Sequence, residues 1–285
     1  AGSLGPGQPL AFIGEASQSA TEGVVARSRV SNSDVLQGLS FPNMTNPGNP
    51  ENLNTFHSEP AMDMIEDWRN DRLTQMRDAQ NLPKFDHALN NVITTRMGSN
   101  ELELLQSYLP DPLSDNEVRR QIQIALAAYK AGIAISATFG INGFDTHDNN
   151  DSRQNAARSA LFNHVAFMWD EAERQGLSES IICVMGSDFA RTPGYNNRNG
   201  KDHHSITSMM VMGYGVEGNR TVGGTDSGQN ARRIDPNTLS YDDSGMILRP
   251  AHIHAALREV AGVSAELDQK FPLNVDPIPG LLGTA

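Results

Sequence analysis

From residue 133 onward short apolar runs alternate with longer stretches of helical period, and this pattern constrains the fold more than any other feature of the chain. Ile133–Phe139, Ser180–Met185 and Thr207–Met212 are apolar, partly β-branched and too short for buried helices. Arg153–Arg174 is an amphipathic helical stretch between the first two, and Arg249–Val260 closes the series with Ile253, Leu257 and Val260 apolar. Continuous apolar strands separated by helices are what a parallel sheet covered on both faces requires. The expected fold class is therefore α/β, a largely parallel sheet with helices on both faces, within one domain over residues 59–285.

The front of the chain reads differently. Residues 1–58 are rich in Gly, Pro, Asn and Ser, with Leu10–Ile13 as the one short strand candidate. So long a stretch without periodicity is unusual inside a compact domain, and it is read as an irregular wrapping segment. Ser58-Glu59-Pro60 then opens a helix, since Pro suits a first turn, with apolar residues at Met62, Ile65, Trp68, Leu73 and Met76. Further helices are expected over Lys84–Met97 and over Glu101–Tyr108, the latter stopped by Pro110 and Pro112. Ser114-Asp115-Asn116-Glu117 has the capping-box pattern, Val118, Ile122, Leu126 and Tyr129 share one side of the helix it opens, and Gly132 ends it.

Charge removes several function classes. Lys and Arg number 22 against 34 Asp and Glu, a formal net charge of −12. There is no basic excess to displace counterions from a nucleic acid or to dock on anionic lipid. No stretch approaches the roughly 20 apolar residues that cross a bilayer, so no membrane insertion is expected. Residues 1–14 lack the charged start and apolar middle of a secretion signal. The single cysteine, Cys183, lies in the apolar run Ile181–Met185 and reads as a buried inert thiol.

Ligand chemistry gathers in three loops: Gly143-Phe144-Asp145-Thr146-His147-Asp148, then Gly186-Ser187-Asp188-Phe189-Ala190-Arg191-Thr192-Pro193, then Gly200-Lys201-Asp202-His203-His204. In open α/β sheets functional groups collect beyond the carboxyl ends of strands, where these loops are expected to meet. Carboxylates and neutral imidazoles are the common ligands of a zinc-like ion. Asp145 and His147 are one residue apart, so on extended backbone both reach one point. They equally suit a loop cap and a local hydrogen bond, and Asp202-His203-His204 equally suits a solvated polar loop. Arg191, with Ser187 and Thr192 beside it, is placed to hold a phosphate or sulfate, or to pair with Asp188.

Other motifs fail on their context. Gly213-Tyr214-Gly215-Val216-Glu217-Gly218 spells a dinucleotide fingerprint, yet the Gly-rich stretch Asn219–Gly228 has no helical period to complete it. Asp145, His147, Asn149 and Asp151 imitate a calcium loop, but Asn150 stands where Gly is needed and Ala156 where the bidentate Glu belongs. No G-x-S-x-G elbow occurs. His164 shares an apolar face with Ala157, Ala160, Leu161 and Met168 and reads as a satisfied core histidine, while His252 and His254 diverge on one helix.

Taken in order, the three loop motifs, continued by Met212–Gly218 and Gly224-Thr225-Asp226, resemble the family catalogued as domain of unknown function 1501, itself similar to the alkaline phosphatase and sulfatase superfamily. The resemblance is clear over residues 130–263. It departs conservatively where the family usually has Trp at Phe144, Glu at Asp188, Gly at Ala190 and Arg at Lys201. It implies a divalent metal ion such as zinc, held by Asp145, His147, Asp188 and His203. Phe189 stands where the superfamily has a second-metal His, so the likeness does not extend to a two-metal site. It further implies that an N-terminal part of the same protein, carrying the nucleophile and an export signal, precedes residue 1, with a periplasmic or cell-surface location.

The expected function of the intact protein is metal-dependent hydrolysis of phosphate or sulfate esters, on a small molecule or a polymer, with this chain alone incomplete for it and with Arg191 and Asp202 as the catalytic candidates. The competing expectation is a non-catalytic exported binding or assembly protein that keeps the fold.

Overall fold

The computed structural model of the chain describes residues 11–13, 27–28, 41–46, 49, 52–79, 85, 89, 99–132, 134–264, 268–269 and 271–283. Contacts divide the chain into two compact units, one of residues 1–141 with 163–175 and one of residues 142–162 with 176–285.

In the first unit, β1 (Ala11–Ile13) pairs in parallel with β2 (Arg27–Ser28) and with β3 (Ala137–Thr138), in the order β2-β1-β3. Helix α1 (Glu59–Asp78) starts where Ser58 and Pro60 predict, yet it buries no residue, and Trp68 is 80% exposed. Most of the expected Lys84–Met97 helix lies outside the described residues. Helix α2 (Ser99–Tyr108) halts before Pro110, as proline chemistry requires.

Helix α3 (Glu117–Lys130) is capped by Asn116, whose side chain accepts from the Arg119 amide, and it ends at Gly132, which takes φ of 75°. The run Ile122–Ala128 of α3 is buried throughout. Leu105 of α2 packs with Ile124, Ala127, Ala128 and Ala134 to form this unit's core. The last turns of α4 (Asn150–Gln175) join it, where Arg174 and Gln175 donate to the Tyr108 carbonyl and so satisfy the end of α2. His164 is half-buried with an Nδ1 that has no hydrogen-bond partner among the described residues, in contrast to the satisfied core histidine expected.

The second unit overturns the expected largely parallel sheet. Strands β4 (Ile182–Met185) and β7 (Met210–Gly213) pair antiparallel, from Ile182 opposite Gly213 to Met185 opposite Met210. Between them lies only the two-residue pair β5 (Ala190–Arg191) and β6 (His203–His204), also antiparallel. Parallel neighbours need a crossover of a dozen or more residues, usually helical. The polar, Gly- and Asn-rich stretch 186–209 forms no helix, so the chain returns directly. Both strands are also only half covered, with Val184 and Met210 exposed, unlike strands buried on two faces.

A third antiparallel pair, β8 (Arg233–Ile234) with β9 (Met246–Ile247), leads into α5 (Pro250–Val260), where His252 Nδ1 accepts from the Arg249 amide. Ile234, Ala256, Ile278, Leu281 and Leu282 form the core here. Cys183 is half-buried, and burial raises its thiol pKa, which disfavours the reactive thiolate. No helix among the described residues is long and apolar enough to cross a membrane.

Candidate metal centre

All of the site lies in the second unit. It begins with Thr146, fully buried between two more exposed neighbours. The Thr146 hydroxyl donates to Asn150 Oδ1 at 2.7 Å and accepts from Gln154 Nε2 at 2.9 Å, so the first turn of α4 draws this side chain inward. Asp145 and His147, on either side of it, are more exposed and meet, with Asp145 Oδ1 3.1 Å from His147 Nε2.

The third loop is held against this segment by the backbone. Lys201 N donates to Thr146 O at 3.0 Å, Asn150 N to Asn199 O at 2.8 Å, and Asn149 adopts φ of 42° to make the turn. Gly200 is needed at the crossing, because a Cβ there would lie 1.9 Å from the His147 carbonyl oxygen. Asn196 ties the pieces together. Its Oδ1 accepts from the amides of Arg198 and Gly200, and its Nδ2 donates to His147 O at 3.0 Å and Asp202 Oδ1 at 3.2 Å.

The β5–β6 pair supplies the remaining groups. Arg191 stands opposite His203, and Ala190 opposite His204. Because successive strand residues face opposite ways, the two adjacent histidines separate. His203 joins Asp145 and His147, whereas His204 Nε2 lies 3.3 Å from Gln229 O. The His203 ring stacks on Phe189 at 3.9 Å between centroids and lies 5.0 Å from the His147 ring.

One ligand atom from each of Asp145, His147 and His203 lies within 4.8 Å of the others. Asp202 Oδ1 sits 3.2 Å from His147 Nδ1. A carboxylate only accepts, so Nδ1 donates to Asp202, and Nε2 is left to accept from Arg191 Nη1 at 3.3 Å. That is the carboxylate–histidine arrangement by which outer groups orient a metal-binding imidazole.

Arg191, only 13% exposed, donates to Asp145 Oδ1 at 2.6 Å and to Lys201 O at 3.2 Å, and its Nη1 lies 3.3 Å from His147 Nε2. Its hydrogen bond is the largest influence holding the Asp145 carboxyl below the ordinary range. Asp202 is lowered too, first by Asn196 and then by His147.

The donor set suits a divalent ion. Two ligands at zinc-type distances of roughly 2.0–2.2 Å in tetrahedral array lie roughly 3.3–3.6 Å apart, close to the Asp145–His147 spacing. One oxygen and two imidazole nitrogens also leave positions open, as in catalytic rather than structural zinc sites. Of the residues expected from sequence, Asp145, His147 and His203 come together, with Arg191 and Asp202 in contact with them. Asp188 is exposed and stands outside the trio, and Arg191 pairs with Asp145 rather than with it.

A family described as "Protein of unknown function (DUF1501)" matches residues 19–243, most of the chain and every residue of this site. The chain belongs to that family. No curated protein and no solved structure matches it.

The DUF1501 centre also relies on residues that sequence reasoning passed over: Thr146, Gln154, Asn196 and Gly200. Asn196-Asn197-Arg198-Asn199-Gly200 does carry a signal, since Asn and Gly are the residues that build tight turns and bond to their own backbone. Nothing in Thr146 or Gln154 alone marks them, because their roles exist only once α4 begins at Asn150.

Proposed function

We propose that this DUF1501 chain uses Asp145, His147 and His203 to hold a divalent metal ion, zinc by the chemistry of its donors, and that the centre serves hydrolysis of phosphate or sulfate esters. The observation that carries the reading is the convergence of one carboxylate and two imidazoles within 4.8 Å, with Asp202 orienting His147 from behind. When bound, such an ion supplies Lewis-acid polarisation of an ester oxygen and eases deprotonation of water at neutral pH. Arg191 is the group suited to an anionic ester, because its planar fork matches two oxygens of a phosphoryl or sulfuryl group. Asp202 keeps His147 in the tautomer that leaves Nε2 able to bind. A periplasmic or surface location belongs to the same reading, as does kinship of chemistry, though not of sheet topology, with phosphatases and sulfatases.

The test is turnover of 4-nitrophenyl phosphate and 4-nitrophenyl sulfate by the protein expressed from its natural reading frame, with the part that supplies the nucleophile included. Hydrolysis is expected to stop on chelation, return with zinc, and fall to background in His147→Ala. Activity that survives both chelation and His147→Ala would dismiss the assignment.

A second reading, a binding or assembly protein with a metal used for structure, has one observation in its favour. Asp145, Arg191, His147, Asp202 and Asn196 already form a continuous hydrogen-bonded chain. Retained zinc without turnover of either ester would favour it.

A further inference from the structure

Arg191 lies where a metal ion's charge is needed. Two of its nitrogens face the atoms that a metal would use: Nη2 is 2.6 Å from Asp145 Oδ1, and Nη1 is 3.3 Å from His147 Nε2. The guanidinium is little exposed and has further supports behind it, the Lys201 carbonyl at 3.2 Å and the Phe189 ring at 5.5 Å. It is thus a fixed cation shared between a carboxylate and an imidazole lone pair, occupying their outward bonding capacity. A divalent ion binding the same two atoms meets both that competition and the repulsion of a like charge.

The formal charges say what relieves this conflict. Among the side chains in contact, Asp145 and Asp202 carry two negative charges against the single positive charge of Arg191. A divalent ion turns that net negative charge into a net positive one, which an anionic ester offsets. A tetrahedral oxyanion also offers the guanidinium two oxygens in place of Asp145 Oδ1 and His147 Nε2.

We propose that Arg191 competes with the metal ion for Asp145 and His147 until a phosphate- or sulfate-type oxyanion draws the guanidinium away, so that metal and anion bind this site cooperatively. The inference rests on the metal-centre reading. It adds that the arginine is an internal brake on metal binding as well as a holder of the anion. By linkage, the factor by which the anion tightens metal binding equals the factor by which the metal tightens anion binding.

Zinc titration calorimetry on the whole chain tests it, with and without phenylphosphonate, an oxyanion whose P–C bond resists hydrolysis. In the wild type, phenylphosphonate is expected to tighten zinc binding by about tenfold, within the range usual for coupled sites. Arg191→Ala is expected to bind zinc more tightly than wild type without the anion, by a similar factor, and to lose the response to it. Arg191→Lys, which keeps the charge without the two-pronged hold, is expected to fall between them and serves if the alanine variant does not fold.

Equal zinc affinity in wild type and variants with the same response to phenylphosphonate would overturn the competition while leaving the metal centre standing. Zinc binding weakened in a folded Arg191→Ala would do the same, by showing the arginine to be a support. Failure of every form to bind zinc would overturn the metal reading and this inference with it.

Discussion

Buried Thr146 has its hydroxyl satisfied from both sides, with the more exposed Asp145 and His147 on either side of it. Thr146→Val keeps the shape and removes the hydroxyl, leaving Asn150 Oδ1 without its donor in a buried position. An uncompensated buried polar group costs about 1–3 kcal/mol, so chemical denaturation is expected to show a loss of that size, with Thr146→Ser recovering much of it. The exposed carboxylates act through pH. Arg191 lowers the Asp145 pKa in the folded state, so the stability this contact contributes is fully present above the ordinary aspartate value of about 3.9 and is lost as the pH falls through the lowered native value. Unfolding of wild type and Asp145→Asn is therefore expected to differ steadily at neutral pH and to converge in acid. Residue types and the one-residue spacing made Asp145, His147 and His203 legible as a candidate cluster. The separation of His203 from His204 was not, because it depends on β6 pairing with β5, which two residues of sequence do not announce.

Among the elements, helices were the more legible, because caps and prolines act locally. Pro60, Gly132 and Pro110 each mark an end that the structure keeps, whereas the capping box that starts at Ser114 gives way to Asn116 as the cap. Strand direction was not legible, since an apolar run such as Ile181–Met185 reads the same in a parallel or an antiparallel pair; the missing helix between β4 and β7 decides it. Amphipathic period also overstated burial in α1, where Met62, Ile65 and Leu73 are only half-buried and Trp68 is exposed among the described residues. The contrast yields a paired prediction. Trp68→Ala on α1 is expected to change stability by less than about 0.5 kcal/mol, whereas Ile234→Ala, fully buried on β8 against Ile278 and Leu281, is expected to cost about 2–5 kcal/mol. Thermal or urea unfolding of the two variants measures both.

For the molecule as a whole, the net charge is −12. An acidic net charge gives no attraction for anionic partners at long range, so the proposed anionic ester would have to be recognised by contact, through Arg191. Each compact unit has its own apolar core, and the candidate centre belongs wholly to the unit of residues 142–162 and 176–285. Its geometry is set by loops crossing at Gly200 and Asn196, not by the edge of a large sheet. Zinc-edge anomalous diffraction from crystals of the chain grown with zinc tests this account most directly. It predicts one strong peak at ligand distance from Asp145, His147 and His203 together; strong peaks elsewhere, with none touching these three side chains, would contradict it.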